Sequence, residues 1–165
     1  MVKRVLRHIY NFFNGHCYVA VLHGWLFTGF GQFYNSQYLK GLLFAIPNYL
    51  NNHLGHLNEA ILYSFTGDIE KSKLVLNYQW ILNYPSFFSY AHWDAYKSGY
   101  IRDKNEKPPI SHSIPFILSA MFATVGITYG RKNYIGPVFT GLEFYFIGLF
   151  VGIIIVKISN ILNKD

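Results

Sequence analysis

The chain has 165 residues, a length that suits one domain, with 52% apolar, 19% aromatic and only 13% charged residues. A soluble domain usually has about a quarter charged residues, so this composition argues against a soluble protein and favours lipid as the solvent. The formal net charge is +6, but the basic residues lie in short groups between apolar runs. This spacing argues against nucleic-acid binding and is typical of loops that flank membrane spans.

The first apolar segment, residues 17–34, runs into a polar turn from Gly29 to Gly41 with the sequence Gly-Phe-Gly-Gln-Phe-Tyr-Asn-Ser-Gln-Tyr-Leu-Lys-Gly. Gln32 and Asn35 can satisfy backbone groups that lose their partners where one helix ends and the next begins. Lys40 can extend its ammonium group toward lipid headgroups. The polar turn is either the connection of a helical hairpin or a polar site for a ligand or lipid headgroup.

Residues 39–65 form the next predicted helix, and this helix is amphipathic. At about 100° per residue, one side carries polar residues and the other carries apolar ones. The polar stripe consists of Asn48, Asn51, Asn52, Gly55, His56 and Glu59, and the opposite face of Ile46, Leu50, Leu54, Leu57 and Ile61. The helix therefore lies at the membrane interface, lines a cavity, or packs its polar stripe against another helix.

The same helix contains a candidate metal site. His53, His56 and Glu59 follow an i, i+3, i+6 spacing that could supply ligands, but each step drifts around the helix axis and no cysteine cluster adds ligands. We therefore expect no metal site and no cofactor, with His53 and His56 as the weak candidates.

Three further segments complete the predicted bundle. Leu74 to Tyr96 is a candidate span that Pro85 should kink. Residues 97–113 carry four basic residues and a Pro-Pro pair and form a solvated loop. Residues 114–130 and 135–158 are apolar and form a tight helical hairpin, in which the last helix is long enough to cross a hydrocarbon core of about 30 Å.

The last hairpin carries one carboxylate and small-residue faces. Glu143 lies inside the final span, where a lone ionised group is costly, so we expect it to face the bundle and find a partner. Five glycines at helical spacing favour close helix packing, either within the chain or with a partner helix. They are Gly126 and Gly130 in one helix and Gly141, Gly148 and Gly152 in the other.

Basic residues collect in cytoplasmic loops, so their distribution tests the topology. If all five segments cross, the 14 Lys and Arg residues, including Lys3, Arg4 and Arg7, divide equally between the two sides. If residues 17–34 enter the membrane and return on the same side, ten of these basic residues are cytoplasmic. If residues 39–65 are instead the segment that does not cross, nine of them are cytoplasmic. We therefore predict an all-α polytopic membrane helix bundle over residues 1–165, with four full crossings plus one re-entrant or interfacial amphipathic helix. Both termini and the loop 97–113 are cytoplasmic.

The pattern Gly-x-Gly-Gln-x-Tyr-Asn followed by Lys40-Gly41, together with Trp93-Asp94-Ala95-Tyr96, resembles the hairpin of TM2-like small bacterial membrane proteins. A similar hairpin occurs as an N-terminal extension on some sugar-transporter permeases. The resemblance covers about residues 25–44 and the short segment around Asp94, and it implies a membrane-embedded hairpin with no settled activity. Thr28-Gly29 stands where Pro-Gly usually precedes the motif. A pair between Lys40 and Asp94 would join this hairpin to the third segment.

No HExxH, GxSxG or P-loop pattern occurs in the chain. We therefore expect a non-catalytic integral membrane protein, an accessory subunit or assembly factor of a membrane complex. Its partners would be the lipid bilayer and other membrane subunits or a second copy, not nucleic acid. One alternative is a transport or lipid-binding bundle that uses the polar stripe and Glu143. The other is a membrane-interface enzyme that uses His53, His56 and Glu59.

Overall fold

The computed structural model describes residues 16–162, which form α-helices and one short 3-10 helix with no strand. The predicted all-α class is confirmed for these residues, whereas the predicted cytoplasmic termini lie outside them. The helices are α1 (His16–Leu26), α2 (Phe30–Tyr34), α3 (Tyr38–Gly55), α4 (Leu57–Phe65), α5 (Ile69–Val75), α6 (Tyr78–Ile81), α7 (Tyr84–Lys104), the 3-10 helix Ile110–Ser113, α8 (Ile114–Gly130) and α9 (Pro137–Leu162).

The described residues form two compact units, each made of two separate stretches of chain. The first unit contains the residues up to Ile46 together with Ala91–Pro109, and the second contains Pro47–Tyr90 together with the residues from Ile110 onward. Two of the boundaries fall inside the continuous helices α3 and α7. The single membrane domain over residues 1–165 stays a prediction.

In the first unit, α1 and α2 form a hairpin whose sharp turn depends on Gly29. This residue has φ 108°, in the left-handed region, and an added Cβ would lie 2.5 Å from the carbonyl oxygen of Gly41. Only glycine adopts this conformation at such a close approach without strain. Gly31 makes a second close approach, because a Cβ there would lie 2.7 Å from the Cβ of Ala95. The two glycines let the hairpin and α7 pack backbone to backbone.

The predicted amphipathic helix 39–65 is wrong as a single element. His56 adopts φ 54° between α3 and α4, which breaks the helical phase. The break is stabilised by Asn52, whose Oδ1 accepts from the backbone N–H of Asn58 at 3.1 Å and caps α4. The polar stripe therefore ends at Gly55, and His56 and Glu59 are exposed.

The predicted span from Leu74 to Tyr96 is also wrong as a single helix. The segment is divided among α5, α6 and α7, and Asn77 caps α6 by accepting from the N–H of Gln79 at 3.2 Å. Pro85 lies in the first turn of α7, the place where a helix tolerates proline. Helix α7 then continues to Lys104, so the first half of the predicted loop 97–113 is helical.

Two helical segments among residues 16–162 are long and apolar enough to cross a membrane, Ile110–Gly130 and Pro137–Leu162. They correspond to the predicted hairpin of residues 114–130 and 135–158, although the last helix begins two residues later than predicted, at Pro137. Their facing sides are small: a Cβ on Gly126 would lie 2.6 Å from the carbonyl oxygen of Thr140, and one on Gly148 would lie 2.5 Å from that of Leu118. Such contacts bring two helix backbones close together, as in membrane helix pairs.

Helices α8 and α9 bury small and polar side chains and expose many of their large apolar ones. Ser89 and Ser119 are buried and their hydroxyl oxygens are 3.2 Å apart. On the surface of α8 and α9, Met121, Phe150 and Ile154 are each more than half exposed. Contiguous apolar surface of this kind is unfavourable in water and neutral in lipid.

Candidate functional site

The polar turn binds one face of helix α7. The turn residues that reach the helix are Gln32, Asn35, Gln37 and Lys40, and their partners are Ala91, Asp94, Ala95 and Ser98. These four partners follow an i, i+3, i+4, i+7 spacing, so they share one side of the helix. We call this set of contacts the polar latch.

Asp94 is the charged centre of the polar latch. Lys40 donates from Nζ to Asp94 Oδ1 at 2.7 Å, and Gln32 donates from Nε2 to Asp94 Oδ2 at 3.2 Å. Both carboxylate oxygens are therefore occupied, and the Asp94 side chain is only 13% exposed. The ion pair that the sequence suggested is present, and because Lys40 is 45% exposed, it stabilises the hairpin by only about 0–1 kcal/mol.

The two amide side chains of the latch donate to main-chain oxygens. Gln32 is 1% exposed and also donates to the carbonyl oxygen of Ala91 at 2.8 Å. Asn35 donates from Nδ2 to the carbonyl oxygen of Ala95 at 2.9 Å. Each carbonyl has a second lone pair, so it can accept these bonds in addition to its helical one. The two amides therefore bind the main chain of α7 directly.

Asp103 is a functional residue that the sequence analysis missed. Its Oδ1 accepts from the backbone N–H of His16 at 3.1 Å and lies 2.6 Å from Nδ1 of the His16 ring. Its Oδ2 accepts from the backbone N–H of Cys17 at 3.1 Å. Asp103 thus caps the first turn of α1, although it lies 87 residues away along the chain. No local pattern connects residues so distant.

The capping bonds determine the charge state of Asp103. Burial acts to raise the pKa of its carboxyl, but the N–H groups of Cys17 and His16 and the His16 ring outweigh burial. The pKa of Asp103 is therefore lowered below its usual value. The cap consequently carries a full negative charge against the positive end of the α1 dipole.

Aromatic contacts complete the joint between the hairpin and α7. The guanidinium of Arg102 lies 5.2 Å from the centre of the Tyr34 ring and donates to the Tyr34 carbonyl oxygen at 3.3 Å. The Tyr34 ring stacks on His23 at 4.7 Å. These contacts tie the end of α2 to the last turn of α7.

Glu143 is not part of the polar latch. It belongs to the second unit and is exposed, so the expectation that it faces the bundle is wrong. Its outward position follows from the glycines, because Gly141, Gly148 and Gly152 face α8 and Glu143 lies about 200° around the helix from Gly141. All five predicted packing glycines contact the opposite helix of the α8–α9 hairpin.

The polar stripe of α3 and α4 forms mostly local contacts. Asn51 donates to the carbonyl oxygen of Pro47 at 3.1 Å, one turn back, and Asn52 donates to Asn58 at 3.0 Å. His56 Nδ1 lies 3.5 Å from Glu59 Oε2. His53 is exposed. Residues 16–162 contain no group of three His, Cys, Asp or Glu side chains that could hold a metal ion.

Comparison with known protein families, with curated proteins and with solved structures gives no match. The resemblance to TM2-like membrane proteins therefore stays a prediction that rests on the motif. What the motif does in this chain follows from its contacts: its amides and its lysine hold α7 and leave α1 and α2 fixed against it.

Proposed function

We propose that this chain is a small integral membrane protein without catalytic activity, an accessory subunit or assembly factor of a membrane complex. The observation that carries the proposal is the distribution of side chains. Glycines pack the α8–α9 interface, and large apolar residues such as Met121 and Phe150 lie outside. The polar latch supports a structural role, because its side chains bind α7 within the same chain.

The proposed topology has four crossings, by α3, α7, α8 and α9, with cytoplasmic termini. Contacts in the second unit support the crossing of α7. Arg131, in the turn between α8 and α9, lies 4.8 Å from the ring centre of Tyr78, just before α7 begins. Further along, Ser89 of α7 contacts Ser119, which lies about two thirds of the way back along α8. The part of α7 in the second unit, residues 84–90, therefore runs beside the hairpin, antiparallel to α8.

Contacts in the first unit favour the version in which α1 and α2 dip in and return. The start of α1 is capped by Asp103, and Gly24 near its end lies against His92, so α1 runs along α7 in the opposite direction. The chain then turns back, and Gln37 accepts from Ser98 at 3.1 Å. This return supports a re-entrant hairpin with Lys40 on the cytoplasmic side.

Cysteine accessibility tests the topology, because Cys17 is the one cysteine in the sequence. In a Cys17→Ser background, Lys132→Cys and Lys71→Cys should react with a membrane-impermeant maleimide in intact cells. Lys107→Cys should react only after permeabilisation. Reaction of all three from one side would refute the crossing of α8, and a Lys71→Cys variant that behaves like Lys107→Cys would reduce the crossings to two.

Purification tests the accessory role. The tagged chain, extracted from membranes in mild detergent, should co-purify with a larger membrane protein at fixed stoichiometry. A Gln32→Leu variant, which loosens the polar latch, should recover less of that protein than a Gln79→Leu variant of an exposed glutamine. A chain that purifies without a larger partner at any detergent strength would refute the accessory role.

The transport or lipid-binding alternative rests on Asn48. This residue is 4% exposed, and its Oδ1 accepts no hydrogen bond from the part of the chain that the structure describes. A buried acceptor of this kind could face a polar solute or water. Solute flux into proteoliposomes that is lost with Asn48→Leu but kept with Asn58→Leu would favour this alternative over the accessory role.

A further inference from the structure

Glu143 lies on an exposed apolar stripe of α9. Ile147, Phe150 and Ile154 follow it at helical spacing and are 41%, 62% and 55% exposed. Within residues 16–162 the Glu143 carboxylate forms no hydrogen bond and no ion pair. The opposite face of α9 is already occupied, because its glycines pack against α8. The Glu143 stripe is therefore an apolar surface of α9 on which a further helix can dock.

The depth of Glu143 follows from the length of α9, given the membrane spans proposed above. Lys157 lies about 30 Å from Pro137 along the helix, at about 1.5 Å per residue, which matches the thickness of a hydrocarbon core. Glu143 lies about 9 Å from Pro137 on the same scale. Its carboxylate therefore faces hydrocarbon, where an ionised group needs a partner.

The same chain offers a cation at the matching end of the hairpin. Lys132 is exposed in the turn between α8 and α9, and its ammonium group has no partner among the described residues. The neighbouring Arg131 is engaged by the ring of Tyr78. A lysine side chain is about 6 Å long and extends its charge along the membrane normal. The lysine and glutamate side chains can therefore extend toward each other across the first turns of α9, where Glu143 lies about 9 Å along the helix from Pro137.

We propose that the Glu143 stripe is the interface of a parallel two-fold dimer of this chain. In this dimer Glu143 of each copy accepts a hydrogen bond from Lys132 of the other. Two-fold symmetry uses the same surface on both copies, so one acid and one base per chain form two equivalent ion pairs. The pairs neutralise the carboxylates in hydrocarbon, and Ile147, Phe150 and Ile154 pack along the axis.

Disulfide cross-linking in native membranes tests the interface. In the Cys17→Ser background, Ile147→Cys, Phe150→Cys and Ile154→Cys should each give a covalent dimer with a copper oxidant. Matched controls are Ile117→Cys, Met121→Cys and Val125→Cys, which replace exposed apolar residues of α8. The controls should give no dimer. Equal cross-linking of the two helices, or none on α9, would overturn the proposal.

Charge variants test the pairing on the Phe150→Cys chain. Glu143→Gln or Lys132→Gln should weaken dimerisation at least about tenfold, about 1.4 kcal/mol, because each leaves one charge of the pair alone. Glu143→Lys combined with Lys132→Glu should restore it. A double variant no better than the single ones would overturn the pairing. Maleimide accessibility of Lys107→Cys is measured in parallel on chains that carry each charge variant without Phe150→Cys. If Lys107→Cys stays cytoplasmic, cross-linking lost in a charge variant reports a weaker dimer and not a changed topology. If it stays cytoplasmic and the parent Phe150→Cys chain gives no cross-link, the dimer is refuted and the membrane topology stands.

Discussion

Gln32 is the residue on which the stability of the polar latch most depends. It is 1% exposed and donates two hydrogen bonds, to Ala91 at 2.8 Å and to the charged Asp94 at 3.2 Å. A neutral bond contributes about 1 kcal/mol and a bond to a charged group about 1.5–3 kcal/mol. Gln32→Leu should therefore lower the free energy of unfolding of the first unit by about 2–4 kcal/mol, which corresponds to a midpoint shift on the order of 10 °C.

Cys17 provides the assay. It is 6% exposed, and it is the one cysteine in the sequence, so a fluorogenic maleimide reports when α1 comes away from its surroundings. The purified protein in detergent is heated with the dye, and the midpoint of the fluorescence rise is recorded. Because all variants keep Cys17 and its Asp103 cap, the dye follows the same thiol in each.

Two other glutamines provide matched controls. Gln37 accepts one neutral bond from Ser98 at 3.1 Å, so Gln37→Leu should cost about 1 kcal/mol. Gln79 is exposed, and its side chain makes no hydrogen bond within residues 16–162, so Gln79→Leu should leave the midpoint unchanged. If Gln32→Leu and Gln79→Leu have the same midpoint, the polar latch does not stabilise the hairpin and the reasoning fails.

Charge reversal tests the Lys40–Asp94 pair. Lys40→Asp and Asp94→Lys should each lower the midpoint temperature at which Cys17 becomes labelled. The double variant should recover up to about 1 kcal/mol of the lost free energy of unfolding. Strictly additive losses would contradict the pair. The pKa of Asp103 is lowered in the folded protein. Its cap should therefore stabilise the first unit fully at pH values above the usual carboxyl pKa of about 3.9. This stabilisation should be lost as the pH falls through the lower pKa of the folded state. The difference in unfolding midpoint between wild type and Asp103→Asn, followed by tryptophan fluorescence, should therefore shrink below about pH 4; a constant difference down to pH 3 would argue against it. Gly152→Ala places a Cβ 2.8 Å from the backbone nitrogen of Pro115 and should cost about 1–3 kcal/mol in an SDS titration followed by circular dichroism. An unchanged titration would mean that α8 and α9 can separate there.

Several breaks in the helices had signals in the sequence that periodicity alone did not use. Asn77 lies just before α6 and caps it, and Asn52, in the last turn of α3, caps α4. Pro85 favours the first turn of a helix over its middle, and α7 indeed starts there. Glu143 and Gly141 are two positions apart, so a glycine face turned inward already implied an outward carboxylate. Each of these signals comes from one or two residues, whereas the apolar character extends over the whole segment.

The sequence by itself determined the all-α class, the apolar hairpin predicted over residues 114–130 and 135–158, and the glycine faces that pack it. These properties depend on composition and on spacing within one helix, which the chain order contains directly. Tertiary structure decided which side of each helix is buried and what the polar turn contacts. Asp103 caps a helix that starts 87 residues earlier, and Gln32 binds a carbonyl 59 residues later. Such bonds form only when the backbones of two helices approach closely, and no local pattern specifies that approach.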